Sequence, residues 1–198
     1  MVVIAIIIAL VALTNQALQS ARASAKRLQC ISNIRSLGVA AIIYADSAHG
    51  NFPAALDEAK CFGLLYDPLS FNDMTVFVCK SKNSSELPPN VSLVSTQYEI
   101  TGNISYCFVK KQEIDPTKNM QTKNMQTMSD PSTNIFLIEK FTGEGFFAAT
   151  DNHDEFGGSC FRINGKAEFI GKDGEAFPPN QNKAGVDYSI NKDMTTMN

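Results

Sequence analysis

The chain lacks the local signatures of the commoner enzyme chemistries. It has no Gly-x-Ser-x-Gly elbow, P-loop, His-Glu-x-x-His or dinucleotide-binding glycine fingerprint, so those catalytic and cofactor-cradling arrangements have no foothold. No Cys-x-x-Cys occurs among Cys30, Cys61, Cys79, Cys107 and Cys160, which argues against a sequence-local zinc site or a thioredoxin-like motif. Excess charge is lacking too, with a formal net charge of −3. The basic residues concentrate at Arg22, Lys26, Arg27 and Arg35 and do not interleave with aromatics, so a nucleic-acid face is not expected. They read as the solvated side of a helix, close enough to a membrane to meet anionic lipid heads. Neither Cys160 nor His153 has a context that would activate a thiolate, and His49 reads as a turn residue; catalysis is not expected.

Proline is missing as well until Pro53, and that absence frames what is present: an unbroken apolar run from Met1 to Leu13 that continues without a turn signal into a polar helical segment. At the helical rise the run is about 20 Å long, short of the roughly 30 Å hydrocarbon core. A secretory signal peptide needs a basic stretch before the run, and none precedes Met1. A core helix that is apolar all round needs a large domain to cover it, and the remaining sequence reads mostly as short, polar-flanked strands. A membrane-anchored helix needs only lipid. We assign Val2, Val3, Ile4, Ile6, Ile7, Ile8, Leu10, Val11 and Leu13 to that span.

Beyond Leu13 the pattern changes. Leu18, Ala21, Ala25, Leu28, Ile31, Ile34, Gly38 and Ala41 recur at three- and four-residue steps as one apolar stripe. The stop falls at His49-Gly50-Asn51-Phe52-Pro53, where glycine takes a left-handed cap and proline forbids continuation. The spacing therefore predicts one helix of forty-odd residues, about 70 Å long, with an apolar first third and an amphipathic remainder.

These residues resemble the bacterial type IV pilin-like proteins and type II secretion pseudopilins, and more closely the pseudopilin-like set of planctomycete and Lentisphaera-type bacteria. The likeness is carried by Val2 to Ile7, Ala17 to Arg22, Arg27-Leu28-Gln29-Cys30-Ile31-Ser32-Asn33-Ile34-Arg35-Ser36-Leu37-Gly38, and Tyr44-Ala45-Asp46 to Pro53. Fainter echoes follow at Val76 to Cys79, Phe136 to Lys140 and His153 to Gly165. The resemblance implies a basic leader, a glycine at the prepilin cleavage and methylation site, and a Phe-Thr-Leu-Ile-Glu-Leu segment with an assembly glutamate, all upstream of Met1. The expectation is that an internal codon stands as the start; an in-frame stop with no leader-like sequence upstream would refute it. Gln16 stands where many relatives have proline, so no kink is expected there. The resemblance places the head outside the cytoplasm, whereas a literal positive-inside count of Arg22 to Arg35 would place it inside.

The remainder reads as one small α+β head, a long helix packed on an antiparallel sheet, with residues 1–48 as anchor, 49–172 as head and 173–198 as a polar, loosely ordered tail. Ala54 to Tyr66 reads as a short helix interrupted by Gly63. Thr75 to Cys79, Val91 to Ile100, Ile104 to Val109, Asn134 to Lys140, Gly145 to Ala149, Gly158 to Ile163 and Ala167 to Ile170 read as strands. Asn164-Gly165 predicts a two-residue hairpin turn. The immediate repeat Lys118 to Thr122 and Lys123 to Thr127 reads as an expanded loop. Among the cysteines, Cys61, Cys79, Cys107 and Cys160 are the disulfide candidates: Cys61 and Cys79 flank one loop-rich segment, Cys107 and Cys160 both lie in strand-like runs, and Cys30 on the helix is a candidate for the one left over, the connectivity being open from sequence; burial as small hydrophobes is the competing reading.

The segment from Asp151 to Gly158 gathers oxygen and nitrogen donors beside glycines. Asp151, Asp154 and Glu155 are candidate calcium ligands, against which stands the absence of an Asp-x-Asp-x-Asp pattern; a polar turn capping the sheet is the preferred reading. In the resembling family a His followed nine residues later by Asp-Gly marks the C-terminal hairpin, whereas here Asn164-Gly165 follows His153 at a spacing one longer. No cofactor is expected. Together the residues and the resemblance point to a non-enzymatic, single-pass, inner-membrane subunit of a type II secretion pseudopilus or pilus-like filament, with its head in the periplasm or on the filament. Its partners would be copies of itself and other pilin-like subunits, the bilayer, the assembly machinery and, for the intact protein, the prepilin peptidase. The alternative is an anchored periplasmic binding protein using the Asp151 to Gly158 loop.

Overall fold

A computed structural model describes residues 2–54, 58–68, 71–79, 88–94, 96–115, 120–140, 153, 157–171 and 186–187. Helix α1 runs from Val2 to Ser47, 46 residues without a break at Gln16, about 70 Å at the standard rise. Its end is set by local chemistry. The Gly50 N–H donates to the Ala45 carbonyl at 2.7 Å, a closure that requires the residue before it to be left-handed. That residue is His49, with φ 55°, followed by Gly50 at φ 83°. The expected glycine cap is thus shifted by one residue, onto a histidine.

Among the described residues nine strands follow: β1 Asn90–Val94, β2 Gln97–Thr101, β3 Tyr106–Phe108, β4 Lys110–Asp115, β5 Met120–Met125, β6 Ile135–Glu139, β7 Gly157–Arg162, β8 Ala167–Gly171 and β9 Val186–Asp187. The principal sheet has the order β3-β6-β7-β8 and all its described pairings are antiparallel. It packs on the second half of α1, whose buried residues Cys30, Ile34, Leu37, Ala41 and Ala45 recur at three- and four-residue steps. The chain therefore forms the expected α+β fold. The stripe begins later than the sequence suggested: Leu18, Ala21, Ala25 and Leu28 are exposed, since at 3.6 residues per turn all four lie about 120–180° round the helix from Cys30.

Alternation along the strands gives the sheet two buried faces. Tyr106, Phe108, Leu137 and Phe161 belong to the helix-side core, while Cys107, Ile138 and Cys160 lie in a second cluster with Ile135 and Ile170. A register shift between Ile135 and Leu137 lets Phe136 join the helix-side core next to Leu137. There it stacks on Phe52 at 4.1 Å, which fixes the chain as it leaves α1. Gly38 lets α1 approach β7 closely, since any Cβ there would enter the Phe161 ring.

Helix α2, Glu58–Gly63, is shorter than predicted and ends where Gly63 meets β2; a Cβ at that position would strike the Tyr98 carbonyl. Thr75 to Cys79 is not a strand. Met74–Phe77 forms a 3-10 turn because the Asp73 carboxylate accepts the Thr75 N–H and hydroxyl. Val91 to Ile100 is two strands, the β1–β2 hairpin. The duplicated pentapeptide, expected as a loop, contributes β5, which pairs with β4 from Lys110↔Met125 to Asp115↔Met120. Within the expected tail, Val186 and Asp187 pair with Glu113 and Gln112. Backbone pairing needs no apolar side chains, so these polar strands leave little trace in a hydrophobic pattern. The strand expected at Gly145 to Ala149 lies outside the described residues.

In the turn between β7 and β8 only Gly165 has positive φ, at 83°, and the Gly165 N–H donates to the Arg162 carbonyl while the Arg162 N–H donates to that of Lys166. The turn is thus a three-residue loop with a glycine bulge in place of the predicted two-residue turn, which needs a special φ at its first central position. Ile163 and Asn164 donate to Asn134 and Ser132, and these bonds pin the loop to the segment entering β6.

Candidate functional site: an exposed apolar helix clamped to the head

The N-terminal part of α1 leaves the head uncovered. Val3, Ile4, Ile6, Ile7 and Leu10 are 54–68% exposed and spread over about 160° of the helix circumference at 3.6 residues per turn. Burying one such side chain is worth about 1.5–3 kcal/mol, so the half that remains exposed on these five holds roughly 4–8 kcal/mol of unrealised stabilisation. Among the described residues α1 is the one helix long and apolar enough to cross a membrane. Within its Leu18–Ser47 part the most apolar 18-residue window has a mean hydropathy of 1.3 and a third of that window is buried, so this part serves partly as a core helix. Val3, Ile4, Ile6, Ile7 and Leu10 face solvent. Such a helix near an N-terminus has the composition of a membrane anchor or signal sequence.

The clamp between stalk and head begins at Cys30, the first residue of α1 to be buried among those whose burial is described. Cys30 is disulfide-bonded to Cys79, with Cα atoms 5.3 Å apart across a 49-residue separation. Closing a loop of that size in the unfolded chain is worth about 4 kcal/mol in the chain-entropy account. This corrects the candidate set. Cys61, Cys107 and Cys160 are buried thiols. Cys107 and Cys160 both pair with Ile138, from opposite sides. Two strand spacings, about 9.5 Å, separate them, beyond the roughly 7 Å limit for a bridge. Cys79 is engaged by Cys30, the residue expected to be left over, and so does not staple Cys61.

Around the disulfide, the Asn33 side-chain amide donates to the Val78 carbonyl at 3.0 Å and the Tyr106 hydroxyl to that of Cys30 at 3.3 Å. Burial and the neighbouring Glu139 charge push the Tyr106 hydroxyl up, with the Asn33 hydrogen bond opposing. The Cys79 N–H donates to Ser105 Oγ at 2.9 Å. Two further polar side chains are turned in against the bridge. His153 Nε2 lies 3.4 Å from Cys79 Sγ and 3.5 Å from Glu139 Oε2, and that carboxylate oxygen accepts the Ser159 N–H at 3.0 Å. The His153 ring stands edge-on to Phe169 at 5.2 Å.

Of the expected site loop, Asp151, Asp154 and Glu155 lie outside the described residues. His153 is 7% exposed and faces the interior. It sits against Cys79, while Cys160 belongs to the cluster on the sheet's other face. Burial first of all pushes the Cys160 thiol up to about 12. The expected solvated basic face holds for Arg22 and Arg35, which are exposed, whereas Arg27 lies over the Phe169 ring at 5.3 Å. Glu139 carried no assignment from sequence. The one available signal was a lone carboxylate ending the apolar run Ile135 to Ile138.

Residues 19–64 match the model of the family SBP_bac_10, described as protein of unknown function (DUF1559). The match takes in α1 from Gln19 onward, its exit and α2, and contains Cys30; it includes none of the sheet. No curated protein and no solved structure matches the chain.

Proposed function

We propose that the chain is a membrane-anchored, pilin-like structural subunit that acts by self-assembly in a type II secretion pseudopilus or related filament, without catalysis. The observation that carries this reading is the exposed aliphatic surface of Val3, Ile4, Ile6, Ile7 and Leu10, in one helix with the Cys30 to Ala45 face that the head covers. A bilayer covers that surface in the monomer, and neighbouring helices cover it in a filament core. The head then lies on the periplasmic side or the filament exterior. The match over residues 19–64 supports the reading, since it spans the helix and its exit.

A charge in the apolar stretch separates assembly from simple anchoring. At the centre of a span an aspartate costs about 2.5–3.5 kcal/mol on insertion scales. Ile6→Asp is therefore expected to weaken insertion and, where it still inserts, to interfere dominantly with filaments of coexpressed parent protein. Filaments unaffected by an inserted Ile6→Asp chain would overturn assembly and leave a singly anchored binding protein.

A further inference from the structure

We propose that Cys30, Cys79, Glu139 and His153 form a zinc site when the Cys30–Cys79 disulfide is reduced, so that the link between stalk and head exchanges a covalent form for a metal-bound one. All four donor atoms lie within 4.8 Å of one another and all four residues are buried. With zinc bond lengths of about 2.3 Å to sulfur and 2.0–2.2 Å to nitrogen or oxygen, a tetrahedral site has edges of about 3.6 Å from S to N and about 3.4 Å from N to O. The observed separations are 3.4 Å from Cys79 Sγ to His153 Nε2 and 3.5 Å from His153 Nε2 to Glu139 Oε2. Two edges are already at length. The sulfurs must move apart to about 3.8 Å, which breaking their bond permits.

The donor set selects the metal. Two thiolates, an imidazole and a carboxylate suit zinc, whereas calcium and magnesium take oxygen. The donors come from four segments, namely α1, the stretch after the 3-10 turn, the end of β6, and the residue ahead of β7, so the ion would tie the same parts as the disulfide. Outer contacts are in place: the Ser159 N–H holds Glu139, and the Cys79 N–H is held by Ser105 Oγ. A disulfide alone does not account for a carboxylate and an imidazole turned against it in the interior. The reaction balances with a dithiol as reductant. The dithiol gives two electrons and two protons to the bridge, becomes a disulfide, and leaves Cys30 and Cys79 as thiols; zinc then displaces both thiol protons.

The test uses the full chain in detergent, reduced anaerobically with a phosphine, desalted, exposed to zinc alone and desalted again. One zinc per reduced chain and none per oxidised chain is expected, and cobalt in place of zinc should give tetrahedral ligand-field bands with thiolate charge transfer. His153→Ala and Glu139→Gln, each shown to fold in the oxidised form by circular dichroism, should weaken zinc binding by at least the 10–100-fold typical of losing an outer-shell partner. Cys61→Ser should leave the stoichiometry unchanged. Zinc absent from the reduced chain, equal in the oxidised chain, or held as tightly by either ligand variant would each overturn the proposal, as would loss of zinc in Cys61→Ser.

Discussion

Gly38→Ala should destabilise the protein even though it replaces a poor helix former with the best one. In an exposed helix the change gains about 1 kcal/mol. Here the new Cβ falls more than about 1 Å inside ordinary carbon–carbon contact with Cγ, Cδ1 and Cε1 of Phe161. The Phe161 ring is fully buried and meets Phe136 edge-on at 5.5 Å, while Phe136 is stacked on Phe52. No ring in that row has a free side to yield toward, so the upper half of the overpacking range applies, about 2–3 kcal/mol. Less the propensity gain, the net loss is about 1–2 kcal/mol, a fall in Tm of roughly 2–8 °C for a chain of this size. Urea unfolding of the full chain in detergent, followed by tyrosine fluorescence, reads it directly. Phe161→Leu should also destabilise alone, yet the double variant should lose about 1 kcal/mol less than the sum, because the smaller side chain relieves the clash. A Gly38→Ala protein as stable as the parent, or strictly additive losses, would refute the close approach of helix and sheet.

Three thiols and one bridge give a counting test. Native chain without reductant should resist alkylation, unfolded chain should take up three labels by mass, and unfolded reduced chain five; a single label on unfolded, unreduced chain would reveal a second bridge. The β7–β8 hairpin should weaken in acid. Burial by itself would raise the Glu168 carboxyl, but hydrogen bonds and charge from Lys166 and Arg162 outweigh it and hold the group below 4.5. The folded state therefore binds that proton less readily than the unfolded chain. Its stabilisation is complete above about 4.5 and disappears as pH falls through the lower folded value. Amide exchange across β7 and β8 should rise over that window and flatten in Glu168→Gln; an unchanged profile in the variant would exclude Glu168 as the cause.

The sequence by itself determined the parts whose physics is local. The length of α1 follows from unbroken good helix formers with no proline before Pro53, its end from the His49-Gly50 cap, and the core-facing stripe from three- and four-residue spacing beyond Ile34. The strands Ile135–Glu139 and Gly157–Arg162 follow from apolar, β-forming runs. Tertiary structure decided what depends on partners far along the chain. Which strands flank β6 keeps Cys107 from Cys160, and the facing of α1 toward the segment after the 3-10 turn joins Cys30 to Cys79. The same docking brings Glu139 and His153 against the bridge, from segments with no shared motif. The duplicated polar pentapeptide became β5 because β4 supplied backbone partners, which no side-chain periodicity records. Period and propensity act over a few neighbours, whereas a disulfide or a four-donor cluster is defined only once distant backbones have been fixed in register.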